Sequence, residues 1–190
     1  MRNEKKVLRF LVRCLVFGTI IGLVSGCALV KPTRHYEEST PIDWGLANTS
    51  ARSVSVMAFT AEDPKWGVYA ARMMKDYLLE EKAYSRVVLT EDKQPKTAYV
   101  ITGALEYLAY GGTDIPTAVV LTVRVIETKD GQTRFMRTAR ASSQKSAYHM
   151  TMMRRIFVPA PYPEELLAGM LKRIAHDIAL RSASPAVQNP

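Results

Sequence analysis

The sequence predicts an α+β fold: a mixed β-sheet with two amphipathic helices packed on it, preceded by a signal peptide and a short tether. Three observations predict it. Two stretches carry apolar residues at helical spacing, Trp66, Ala70, Met73, Met74, Tyr77 and Leu78 in one, Leu167, Met170, Leu171, Ile174 and Ile178 in the other. The segments between them alternate, most clearly Val119, Leu121, Val123 and Val125 against Thr122 and Arg124. A basic head, a short apolar run and small residues stand at the start of the chain.

In chain order, Arg2, Lys5, Lys6 and Arg9 outnumber the single acid Glu4, and the apolar run from Cys14 to Val24 is 11 residues long. That is short of the roughly 20 residues a membrane-spanning helix needs. Ser25 and Gly26 then suit a peptidase cleft, and Cys27 follows them. Residues 1–26 are expected to leave as a signal. Their loss takes five bases and one acid from the formal charge of +8, leaving 21 bases against 17 acids, or +4. Basicity is then too mild to argue for nucleic acid. The two cysteines are Cys14 and Cys27. One is expected to leave with the signal, and a single remaining cysteine predicts neither a disulfide framework nor a cysteine metal site.

Residues 27–51 hold Pro32, Pro41, Gly45 and Ser50 without an apolar period and read as a lipidated N-terminus and flexible tether. One domain is expected over 52–181, and a disordered tail over 182–190. Within the domain, Ser53 to Phe59 alternates as a strand. Asp63-Pro64 caps a helix reaching Lys82, Arg86 to Leu89 is a short strand, and Tyr99 to Tyr110 a longer one. Gly111 to Pro116 is a loop. Ala118 to Glu127 and Gln132 to Arg140 form a hairpin about Asp130-Gly131. Pro163 to Arg181 is the second helix, with Glu164 and Glu165 in its first turn, where acids suit the helix dipole.

Val24-Ser25-Gly26-Cys27 resembles the lipobox of bacterial lipoproteins. The resemblance implies diacylglycerol on the Cys27 thiol and cleavage before it, with palmitate as the expected label. Ala28 stands where an aspartate would hold such a protein at the inner membrane, so the inner leaflet of the outer membrane, facing the periplasm, is the expected location. The domain itself resembles the shared domain of the TolB N-terminal region, CsgG and LpoB. Val54 to Phe59, Gly67, Tyr84 to Val88, Tyr99 to Tyr107 with Gly103, and the hairpin from Val119 to Arg134 carry the likeness. It implies a periplasmic module that binds other envelope proteins and assists or regulates an envelope machine. There is no spare length for the two further amphipathic hairpins of a CsgG-like pore. Auxiliary lipoproteins of ABC-type lipid transport systems are a second resemblance, implying an apolar ligand.

No catalytic residue is assigned. His35, His149 and His176 show no His-x-x-x-His or Glu-x-x-His spacing, so no metal and no cofactor are expected. His176 and Asp177 are helix neighbours that diverge and do not pair. Glu106 and Glu127 could approach across strands. There is no Gly-x-Ser-x-Gly elbow and no phosphate-binding glycine loop. Arg134, Arg137, Arg140, Lys145, Arg154 and Arg155 make a basic run, read as a solvated strand followed by a loop. Within it Arg154, Arg155, Met152, Met153 and Phe157 form the expected partner-binding surface, since methionine packs adaptably and arginine suits acidic partners.

Overall fold

The computed structural model describes residues 32–46, 49–50, 52–91, 95–151 and 154–184, the side chains of 149–151 and 154 excepted. The expected signal peptide and Cys27 lie outside the described residues. Among the described residues, nine strands and two helices run in the order β1 (Arg34–Glu38), β2 (Ile42–Asp43), β3 (Ser53–Met57), α1 (Pro64–Glu80), β4 (Arg86–Thr90), β5 (Tyr99–Ala109), β6 (Ala118–Glu127), β7 (Thr133–Ser143), β8 (Ala147–Thr151), β9 (Arg154–Val158) and α2 (Pro163–Ala183). Two compact units divide the described chain. One is the β8–β9 hairpin, and the other is everything else described.

The larger unit is a seven-stranded mixed sheet ordered β1-β7-β6-β5-β3-β4, with β2 also paired to β7. β3 runs parallel to both β4 and β5, and the remaining pairs are antiparallel. A parallel neighbour needs a crossover, and α1 supplies it between β3 and β4. Asp63 caps α1 by accepting from the Lys65 amide at 2.9 Å, and Pro64 opens the first turn. The β6–β7 turn closes through Gly131 at φ +69°, a conformation glycine takes without strain. Asp130 Oδ1 accepts from the Gln132 amide there.

Both helices pack the same face. Val119, Leu121, Val123 and Val125 of β6 and Phe135, Ala139 and Ala141 of β7 are fully covered. They join one cluster with Met74 and Leu78 of α1 and Leu167, Met170, Leu171, Ile174 and Ile178 of α2. Phe59 locks α1 against the sheet. Its amide donates to the Gly67 carbonyl at 3.1 Å, and its ring lies over Gly103. A Cβ on Gly67 would run into the Phe59 carbonyl oxygen, so glycine is required at this close approach.

The described structure corrects three expectations. Residues 27–51 are not a tether throughout. β1 pairs with β7 from Arg34↔Ser143 to Glu38↔Ala139, and β2 follows it onto the same strand. These strands have no apolar period because they form an edge with one face toward solvent. The segment after Arg140 is not a loop, since β7 continues to Ser143 and β8 and β9 pair with each other. The second helix passes Arg181, and Ser182 is fully buried with its hydroxyl donating to the Ala83 carbonyl. The rest of the expected tail, 185–190, lies outside the described residues.

Gly67→Ala should therefore cost about 1–3 kcal/mol through overpacking. Leu180→Ala, on the exposed side of α2, should stay within about 0.5 kcal/mol of the parent. Chemical denaturation followed by circular dichroism measures both, and equal stability of the two variants would contradict the clasp.

Candidate functional site

Of the residues expected to bind a partner, the structure brings Arg155 and Phe157 together. They are two apart on β9 and so share a face of the strand. The Phe157 ring lies 5.1 Å from the ring of Tyr148 on β8, and the Arg155 guanidinium sits 4.8 Å from the same ring. Tyr148 and Phe157 remain 61% and 49% exposed, and Ile156 beside them is exposed too. Stacking holds the arginine in place, and the side chain is exposed. Arg154 belongs to β9 without a described side chain, and Met152 and Met153 lie outside the described residues. Tyr148, which organises the cluster, was visible in the sequence only as one of several interleaved apolar residues.

A second polar constellation occupies the groove of about 580 Å³ between α2, the end of α1 and the edge of the sheet. Arg137 of β7 projects to the helix-covered face with only 12% of its side chain exposed. Its guanidinium grips Glu38 of β1 with one nitrogen and Asp177 of α2 with another. Arg173 stacks 4.3 Å from the Tyr36 ring and reaches Glu38 at 3.7 Å. At the rim, Lys172 donates to Glu80 at 3.0 Å, and that hydrogen bond raises the lysine above its ordinary pKa. His176 Nδ1 lies 2.9 Å from Glu81. Each base of this groove faces an acid, so it clamps β1 onto the body and gathers no surplus charge for a ligand. Sequence reasoning placed Arg137 on a solvated strand. Its partners are 99 and 40 residues away, and neither distance leaves a local signal.

The two carboxylates expected to approach are held apart. Glu106 accepts from Thr122 Oγ1 at 2.6 Å, whereas Glu127 is bound by Arg134 at the opposite end of β6. His176 and Asp177 diverge as the helix geometry requires, one to Glu81 and the other to Arg137. Among the described residues no three His, Cys, Asp or Glu side chains could hold a metal ion. A smaller cleft of about 340 Å³ lies between α1 and the β3–β4 edge, bordered by Val68, Arg72, Leu89 and Glu91.

No protein-family model matches the sequence, and no curated protein matches it. Solved structures do. PelC from Paraburkholderia phytofirmans, crystallised as a dodecamer, superposes with a TM-score of 0.53 at 15% identity, covering 77% of this chain and 98% of that one. The likeness shows a shared fold. Weaker similarities include protein XCC0632 from Xanthomonas campestris (TM-score 0.45, 8% identity, 68% and 82% covered). Lipoprotein GNA1162 from Neisseria meningitidis is another (0.37, 14%, 67% and 98%).

Arg137→Ala would strand the Glu38 and Asp177 carboxylates in a largely covered site, and a loss of about 3 kcal/mol is expected. Lys172→Ala removes an exposed pair and should cost less than about 1 kcal/mol. Urea unfolding of the two variants tests the difference, and comparable losses would demote Arg137 to a surface ion pair.

Proposed function

We propose that this chain is a lipid-anchored protein of the bacterial cell envelope that works by holding other proteins, with no catalysis of its own. The observation that carries the reading is the β8–β9 hairpin. It pairs outside the main sheet and exposes Tyr148 and Phe157 around a stacked Arg155, with Ile156 exposed on the opposite face of the strand. Tyrosine and arginine dominate binding energy at protein interfaces because they bury large area and still satisfy hydrogen bonds. The anchor is Cys27, and the proposed location is the inner leaflet of the outer membrane.

The lipid-transport alternative would be favoured by an apolar chamber between helices and sheet. That space is filled by Leu121, Met170, Leu171 and Ile174, and the cleft beside β4 is open and edged by Arg72 and Glu91. Among the envelope proteins it holds, neighbouring copies of the same chain come first. PelC, which shares the fold over nearly its whole length, crystallised as a dodecamer, and the resemblance to TolB, CsgG and LpoB domains implies protein contacts as well.

Cys27→Ser should abolish palmitate labelling and leave a precursor retaining residues 1–26; continued labelling would sink the anchor assignment. Cross-linking of intact membranes should give a ladder at multiples of the mature chain. Arg155→Glu with Phe157→Ala should collapse that ladder with little change in thermal midpoint, since both side chains are exposed. A wild-type chain that cross-links only as a monomer overturns self-assembly, and a ladder indifferent to the variant removes the hairpin from the contact.

A further inference from the structure

One end of the larger unit gathers exposed apolar and aromatic side chains on a rigid base. The sheet register places the start of β1, the end of β7, the start of β6 and the end of β5 together, through Arg34↔Ser143, Ala118↔Ser142 and Ala109↔Ala118. The 110–117 loop and the segment leading into α2 close this end. Tyr110, Ile115 and Tyr162 stand there at 55%, 54% and 68% exposure.

The base beneath them is tied down. Thr117 Oγ1 donates to the Pro161 carbonyl at 2.5 Å and accepts from the Gly111 amide at 3.0 Å. The Gly112 amide donates to the Ile115 carbonyl at 2.8 Å, and the Gly112 carbonyl accepts from Ser146. Ser146 Oγ in turn accepts from the Ala160 amide at 2.9 Å. A Cβ on Gly111 would collide with Thr117 and Ala160. These side chains are exposed on an ordered platform.

Chain length says what covers the platform. Pro32 lies five residues beyond Cys27, and even a fully extended chain spans at most about 3.5 Å per residue, or about 17 Å in all. Thr33 is already fixed to the body, its carbonyl accepting from the Gln144 amide at 3.1 Å. The far end of the domain, where Ser182 meets Ala83, is the length of the 21-residue α2 away, about 31 Å. An anchor on Cys27 therefore holds this end of the domain, and not the other, against the bilayer.

We propose that Tyr110, Ile115 and Tyr162 form a membrane seat that enters the headgroup region of the lipid leaflet carrying the Cys27 anchor. The proposal rests on the lipoprotein reading. Tyrosine suits the depth where a ring meets acyl chain and a hydroxyl meets water, and Ile115 supplies apolar area. Exposed Lys145 and exposed Asp114 share this end. Their charges offset, so the seat depends on apolar insertion and only weakly on anionic lipid. It orients the domain with α2 running away from the membrane.

The test uses the full chain, processed and lipidated, in vesicles of phosphatidylethanolamine and phosphatidylglycerol with brominated acyl chains. Cys14 leaves with the signal and Cys27 is acylated, so Ile115→Cys, Tyr162→Cys and Leu180→Cys each take one environment-sensitive thiol fluorophore. All three positions are exposed, and circular dichroism confirms that each labelled variant is folded. Quenching at 115 and 162 is expected to exceed that at 180 by about threefold, as for side chains entering 5–10 Å into the interface. Equal quenching at the three sites in protein that floats with the vesicles overturns the seat and leaves the anchor standing. Protein that fails to float refutes the anchor, and the seat falls with it.

Discussion

The pairing of β1 with β7 is the constraint on which the rest of this architecture depends. Without it the sheet would end at β7, and the covered face at Arg137 would open. Five residue pairs align the strands, yet β1 itself carries little apolar area: Arg34, His35 and Glu37 are exposed, and only Tyr36 and Glu38 turn partly inward. Side-chain chemistry supplies what burial does not. Arg137 joins Glu38 to Asp177, Arg34 pairs with Glu165 at the start of α2, and Arg173 covers the Tyr36 ring. Three of these links end on α2, so the N-terminal strand is fastened to the last helix as well as to its sheet neighbour. The point where the chain enters the domain is thereby fixed relative to every other element of that unit.

Both described helices pack against the same face of the sheet. On the other face Thr122 Oγ1 donates to Glu106 at 2.6 Å and accepts from Thr138 Oγ1 at 2.9 Å. Arg124 and Arg140 project to solvent. Such a cross-strand hydroxyl ladder stabilises pairing without apolar area. The covered face is filled to contact, with Phe135 and Leu121 fully buried under α2. The proposed function accordingly belongs to surfaces. A domain whose helix-covered face is filled has binding to offer at its edges and turns.

The elements that bury a face were legible in the sequence. The α1 and α2 stripes, the alternation in β6 and the Asp130-Gly131 turn each leave a local periodic or steric signature, and their boundaries agree with the structure to within two residues. Phe59, Gly67 and Gly103, on which part of the family resemblance rested, meet in one clasp. What was illegible shares a different physical origin. β1 and β2 read as a tether because an edge strand held by ion pairs shows no apolar rhythm. β8 and β9 were hidden because Tyr148, Arg155 and Phe157 stabilise each other through ring and cation contacts, which composition alone does not separate from a basic loop. Arg137 was misplaced because alternation along β7 sends residues 135, 137, 139, 141 and 143 to one face, and an arginine in that series looks outward until its two acids are known.

Preorganisation favours the surface that carries Tyr110, Ile115 and Tyr162. Ordering a flexible loop on binding costs free energy that a rigid surface does not lose. Thr117, buried and doubly hydrogen-bonded, holds the 110–117 loop against Pro161. Ser146 and Ala160, which flank the β8–β9 hairpin in the chain, are hydrogen-bonded to each other, and Ser146 also reaches Gly112. Ser146, Ala160 and the loop carrying Ile115 are thus members of one hydrogen-bond network inside the larger unit. A polar network of this kind contributes little to net stability, because each bond replaces one to water. Its contribution is to fix where exposed side chains stand, and exposed tyrosines on a fixed frame are what a binding surface requires.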